Sequence, residues 1–200
     1  MAGLPATGKT TAAQRLHAQL GGMLIRSCDV YADLGISLPV WVDRTAGFTR
    51  EVSAYDAARD EAYAEMGRRL TQALVAGENP VIVDAVHGER ERRRAVHAIC
   101  HAHDAVAVVV LCCCDDLQEI ERRFVARRGR EHQPECEASD LAVYRDIRRR
   151  WQDPQRDQPL PPIVIVDSVR EVVLPPAAGP EVAIRVAAAL VPYAQGRARS

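Results

Sequence analysis

Apolar residues follow two alternating rhythms along this chain. Short runs at Met23 to Ser27, Val81 to Val83, Ala105 to Cys112 and Ile163 to Val166 are apolar almost throughout, as in strands buried on both faces of a parallel sheet. Between them, apolar positions recur with helical spacing over Lys9 to Leu20, about Glu51 to Ala76, Glu89 to His103, Asp115 to Arg128, Ser139 to Trp151 and about Pro180 to Tyr193. Start and stop signals frame these stretches. Gly21-Gly22 and Gly77-Glu78-Asn79-Pro80 end two helices, Asp115-Asp116 opens another, and Ser139-Asp140 caps a fourth. Val30 to Thr49 lacks periodicity and contains Gly35, Pro39 and Gly47, so it reads as a loop or lid-like insertion, and Pro154 to Pro162 reads as a linker. Strands alternating with helices predict an α/β fold with a parallel sheet. The 200 residues suit one domain over 1–195, followed by a frayed tail at 196–200.

The first helix begins inside Gly3-Leu4-Pro5-Ala6-Thr7-Gly8-Lys9-Thr10, which satisfies G-x-x-x-x-G-K-[ST] at every fixed position. Its glycines let backbone N–H groups face inward and cradle phosphate oxygens. Lys9 is placed to reach the β- and γ-phosphates, the Thr10 hydroxyl to bind Mg²⁺, and the helix N-terminus faces the same anion. Residues 3–11, Thr11 included, are therefore the candidate nucleotide-binding segment. A P-loop normally follows a buried strand, yet only Met1 and Ala2 precede Gly3. The first strand is thus expected to be cut short before the loop; the alternative is that another segment fills its place.

Charge sharpens this picture. The 26 basic residues nearly balance 27 acidic ones, for a formal net charge of −1, unlike the basic excess of a duplex-DNA binder. All but one of the 26 are arginine; the exception is Lys9, where a compact ammonium is needed. No apolar run approaches the roughly 20 residues that span a bilayer, and no signal peptide is visible. Six cysteines without an export signal suggest a cytoplasmic protein with reduced thiols. Adjacent strand residues face opposite ways, so Cys112-Cys113-Cys114 reads as core packing rather than a chelate. His97, His101 and His103 complete no zinc pattern. Tyr144 and Trp151, seven apart on one helix, read as packing residues, the alternative being an apolar wall for an adenine.

On these residues the chain resembles the small P-loop kinases of the AAA-type predicted-kinase group, related to polynucleotide kinase, zeta toxins, chloramphenicol phosphotransferase and gluconate kinase. The resemblance rests, in order, on G-L-P-A-T-G-K-T-T, Asp29, V-I-V-D-A at Val81 to Ala85, E-R-R-F-V-A-R-R-G at Glu121 to Gly129, and Ser139-Asp140. It implies the three-layer fold of the P-loop NTPases and transfer of the γ-phosphoryl group of ATP to a hydroxyl, with Mg²⁺. Within it Asp29 is the general base, the alternative being a loop- or helix-capping aspartate. Asp84 joins Thr10 at the metal, and a lid at about 122–139 brings Arg123 and Arg127 over the triphosphate. Those two arginines are four apart and share one helix face; the alternative is a solvated face, since triple arginines recur at 92–94 and 148–150 without a motif.

One departure stands out: the polynucleotide-kinase-like members carry an arginine three residues after the aspartate, and here that position is Ala32. Arg44 is a candidate to compensate, the alternative being a solvated surface arginine. The expected acceptor is a small molecule or a nucleotide-type compound, a nucleic-acid end being less favoured by the neutral charge. Two alternatives stay open, a non-kinase ATPase or switch working with a protein partner and a zeta-toxin-like nucleotide-sugar kinase. An Asn-Lys-x-Asp guanine signature is excluded because the sole lysine is in the loop.

Overall fold

A computed structural model describes residues 1–36, 50–127, 141–176 and 179–195. In chain order the elements are α1 (Lys9–Leu20), β1 (Met23–Arg26), α2 (Ser27–Asp33), α3 (Arg50–Val75), β2 (Val81–Asp84), α4 (Arg90–Ala102), β3 (Val109–Cys113), α5 (Leu117–Arg127), α6 (Leu141–Arg150), β4 (Ile163–Asp167), β5 (Val172–Leu174) and α7 (Glu181–Gln195). β1 runs parallel to β2, and β3 parallel to β4. A short antiparallel edge strand, β5, was not expected; it folds back on β4 after the turn at Asp167, whose carboxylate accepts from the N–H groups of Val169 and Arg170.

Alternation along the strands divides the core in two. Leu24, Ile82, Val110, Cys112, Val164 and Val166 face one way, packing on Ala12, Ala13 and Leu16 of α1 and Ala183, Ala187 and Leu190 of α7. Ile25 and Val83 face the other way, onto Ala62, Met66 and Leu70 of α3 and Cys100 of α4. Helices on both faces of a mostly parallel sheet make the expected three layers. Cys112 and Cys114 fall in different clusters, and Cys113 lies against a third. Cys113 faces away from Cys112 as neighbours on a strand do, and Cys114 lies past the end of β3, where it packs against Ile120 and Phe124 of α5.

One boundary differs from expectation in a way that bears on function. β1 stops at Arg26, and the chain turns at once into α2, so Asp29 sits in a helical first turn rather than at a strand edge. Nothing local announces this helix, since its N-cap is Arg26 and no side chain caps it. Burial of Val30 and Tyr31 against α3 holds it instead. The remaining part of the expected insertion, 37–49, lies outside the described residues.

The central slot between β2 and β3 is occupied by Met1–Gly3. Ala2 donates to Val110 and accepts from Cys112, both at 2.8 Å, in a parallel bridge to Leu111. On the other side Met1 N–H donates to the Val83 carbonyl at 2.6 Å, and Gly3 N–H to Val86 at 3.2 Å. Among the described residues no other segment pairs along these edges. Beside Met1 and Ala2 lies a cavity of about 120 Å³ lined by Val81, Val83, Val96, Cys100, Val108 and Val109. No described helix is long and apolar enough to cross a membrane.

Candidate active site

The phosphate loop leaves the slot at the carboxyl edge of the sheet, where open α/β folds bind ligands. A side chain at Gly3, φ +150°, would place Cβ 2.5 Å from the Cys112 carbonyl oxygen, so only glycine passes. Ala6 and Gly8 are left-handed, at φ 62° and 94°, and they turn successive N–H groups into a concavity suited to anions. The loop is tied across by Thr7, whose Oγ1 donates to the Leu4 carbonyl at 2.8 Å. Lys9 Nζ donates to that same carbonyl at 2.8 Å, folding the ammonium over the loop's mouth. α1 has no side-chain N-cap, so its first N–H groups remain directed at the hollow. Thr10 is half-buried and Thr11 exposed at the start of this helix.

Asp84 ends β2 next to the loop, on the face that α1 covers, and is 4% exposed. No hydrogen bond to its carboxylate occurs among the described residues. A buried carboxylate without a donor suits a cation, so Asp84 and Thr10 together fit Mg²⁺ held partly by substrate phosphates. Asp29 is exposed, with Arg26 Nη1 at 3.6 Å and the Cys28 thiol beside its Oδ1.

Arg123 occupies a different place from the one a lid would give it. Its Nη1 donates to the P-loop carbonyl of Ala6 and to Ser168 Oγ, both at 2.9 Å; Nη2 donates to the Ser168 carbonyl, and Nε to Glu119 at 2.6 Å. Hydrogen bonds from Arg122 and then Arg123 hold the Glu119 carboxyl down at about 2, so the pair is ionic across the ordinary pH range. With those acceptors so close, the guanidinium braces the outside of the P-loop and ties it to the end of β4. Arg127 is the last residue of α5; Arg128, Arg130, Arg44 and the expected lid from 128 to 139 lie outside the described residues.

A second set of contacts, unforeseen from sequence, supports the segment after Asp84. Arg93, 3% exposed, donates through Nε and Nη2 to Asp157 at 2.6 and 2.8 Å, and through Nη1 to the His87 carbonyl at 2.8 Å. Burial pushes the His87 imidazole down to about 3, so it is neutral. Its Nδ1 lies 2.9 Å from the Met1 carbonyl, an acceptor only, so Nδ1 carries the proton. Burial also pushes the Cys112 thiol up to about 12 and Cys113 up to about 11, which keeps both protonated. Pairs 64 residues apart, such as Arg93 and Asp157, leave no short-range pattern to read.

The AAA domain family model matches residues 1–154, and no curated protein matches the chain. Among solved structures it is similar to Chaetomium thermophilum Kti12 in complex with ADP-AlF3. The identity there is 18%, over 92% of this chain and 91% of that one, with a TM-score of 0.58. It is also similar to a gluconokinase from Sinorhizobium meliloti 1021, at 17% identity over 98% and 93% of the two chains, with a TM-score of 0.53. At these identities the likeness shows the fold, which is that of the P-loop NTPases.

Proposed function

The chain belongs to the AAA domain family, and from that premise we propose that it is an ATP-dependent phosphotransferase with a small-molecule or nucleotide-type alcohol as acceptor. The observation that carries this is the complete phosphate loop, folded with left-handed Ala6 and Gly8 around a hollow that Lys9 overhangs. The gluconokinase likeness supports transfer to an alcohol, and the Kti12 complex with ADP-AlF3 supports a nucleotide in this loop.

In this reading the acceptor oxygen bonds to the γ-phosphorus while the bond from that phosphorus to the β,γ-bridging oxygen breaks. The bridging electron pair leaves with ADP, and the hydroxyl proton passes to Asp29. Residues 3–11 hold the β- and γ-phosphates through backbone N–H groups and Lys9, in the positioning and charge neutralisation that dominate phosphoryl transfer. Mg²⁺, held by Thr10 and Asp84, would add positive charge at the phosphates. Arg123 keeps the loop in shape from behind.

The test is ADP release against a panel of hydroxyl compounds. Stimulation well above the basal rate by one of them, with Lys9→Ala abolishing turnover, is the expected result. A basal rate that no acceptor raises would favour an ATPase or switch instead. If Asp29→Asn transfers to every accepted compound at the wild-type rate, Asp29 is not the base.

A further inference from the structure

Resting on the phosphotransferase reading above, the geometry points to Arg26 as the residue that recognises a negatively charged group, carboxylate or phosphate, on the acceptor, which makes the acceptor class the anionic alcohols. Arg26 is the last residue of β1 and stands in register with Asp84 on β2. Alternation fixes its direction. Leu24 packs in the cluster of α1 and Ile25 in that of α3, so Arg26, two residues beyond Leu24, projects on the α1 side. Ile82 and hence Asp84 project on the same side. One face of the sheet edge therefore carries Arg26, then Asp84, then the loop that opens α1 at Lys9. With strands about 4.8 Å apart, Arg26 is roughly 10 Å from the entry of the P-loop. That is room for a small alcohol between a guanidinium and the terminal phosphate.

The guanidinium is only partly satisfied. Its side chain is 21% exposed, its Nε is buried with no hydrogen-bond partner, and its ion pair, Asp29 at 3.6 Å, lies beyond hydrogen-bond reach. An unmet buried donor is unfavourable unless a ligand completes it. Arg15 and Arg150 also carry a buried Nε without a partner, but Arg150 is bonded to Asp146 at 2.6 Å and Arg15 lies within α1. Of the three, Arg26 stands at the sheet's carboxyl edge, beside the proposed base. A planar fork of donors matches carboxylate and phosphate oxygens two at a time. An anion docked on it brings the attached alcohol to Asp29.

The decisive experiment fills the nucleotide site with AMP-PNP and Mg²⁺ and titrates calorimetrically with gluconate against sorbitol and with glycerol 3-phosphate against glycerol. The first pair reports a carboxylate source and the second a phosphate source. The charged member of at least one pair should bind 100-fold or more tightly than its neutral counterpart. Arg26→Gln should bring the two within about threefold, and Arg26→Lys, which keeps the charge without the fork, should lose at least tenfold of the preference. Equal binding of charged and neutral members by the wild type overturns the assignment, as does a preference that survives in both variants. ADP release decides the parent reading separately. Acceptor turnover indifferent to charge removes the role of Arg26 and leaves the phosphotransferase standing; charge-selective binding through Arg26 without any transfer keeps the anion site and removes the phosphotransferase.

Discussion

Replacing Asp157 with alanine would strand a buried cation, and the structure says how much that should cost. Arg93 and Asp157 have side chains 3% and 8% exposed and are joined by two hydrogen bonds of 2.6 and 2.8 Å. Arg90 adds a third contact at 3.0 Å. In Asp157→Ala the Arg93 guanidinium keeps only the His87 carbonyl. Breaking such a pair from one side typically costs about 3–5 kcal/mol, because a charge remains buried without its partner. For a chain of this length each kcal/mol moves the melting temperature by about 2–4 °C, so a fall of roughly 6–20 °C is expected by calorimetry. The paired change Arg93→Met with Asp157→Leu removes both charges and should recover much of the loss. A single variant within about 1 kcal/mol of wild type in urea titration, or a double variant as unstable as the single one, would refute this reasoning. The pH dependence gives an independent check. Burial works against the ionised Asp157, but hydrogen bonds from Arg93 and Arg90 outweigh it and hold the carboxyl below its ordinary 3.8. A depressed carboxyl stabilises above its unfolded value, so this contribution is present above about pH 3.8 and fades as the pH falls below it.

Three further outcomes follow from the same contacts. His87, held near 3 by burial against an ordinary 6.5, binds its proton more readily unfolded than folded; stability should therefore fall as the pH drops from about 6.5 toward 3, and His87→Gln should flatten that limb in pH-jump melts. Gly3→Ala forces Cβ to within 2.5 Å of a backbone oxygen and strains a positive φ; a loss of about 2–5 kcal/mol is expected by urea titration, and a neutral result would mean the loop passes β3 by another path. Arg123→Met frees the Ala6 and Ser168 carbonyls and should weaken binding of a fluorescent ATP analogue about tenfold, the equivalent of about 1.4 kcal/mol; unchanged affinity would show that the loop needs no brace.

The parts of the molecule that were legible in the sequence are those whose signals are short-range. The phosphate loop and α1 follow from fixed spacings within a dozen residues, and β2 from an apolar run closed by Asp84. α2 was missed because its first turn has no capping side chain and its stability comes from Val30 and Tyr31 packing on α3. β5 is three residues long and exists by pairing with β4. The helical spacing of Arg123 was readable, but its end point was not, since Ser168 lies 45 residues away and Ala6 117. Arg26 carries no signal of its own because arginine is ordinary in this composition; only the strand register that sets it beside Asp84 distinguishes it.

The pairing of Met1–Gly3 with its neighbours has a consequence for how the protein responds to its own ligand. Met1–Gly3 bond β3 on one side and the end of β2 with Val86 on the other. The same stretch of chain runs without a break into the phosphate cradle. A nucleotide that grips the cradle therefore steadies the rungs between β2 and β3, and at a hundredfold excess over its dissociation constant would add about 2.7 kcal/mol to the folded state. Occupancy of the loop and the stability of the sheet it grows from are thereby coupled.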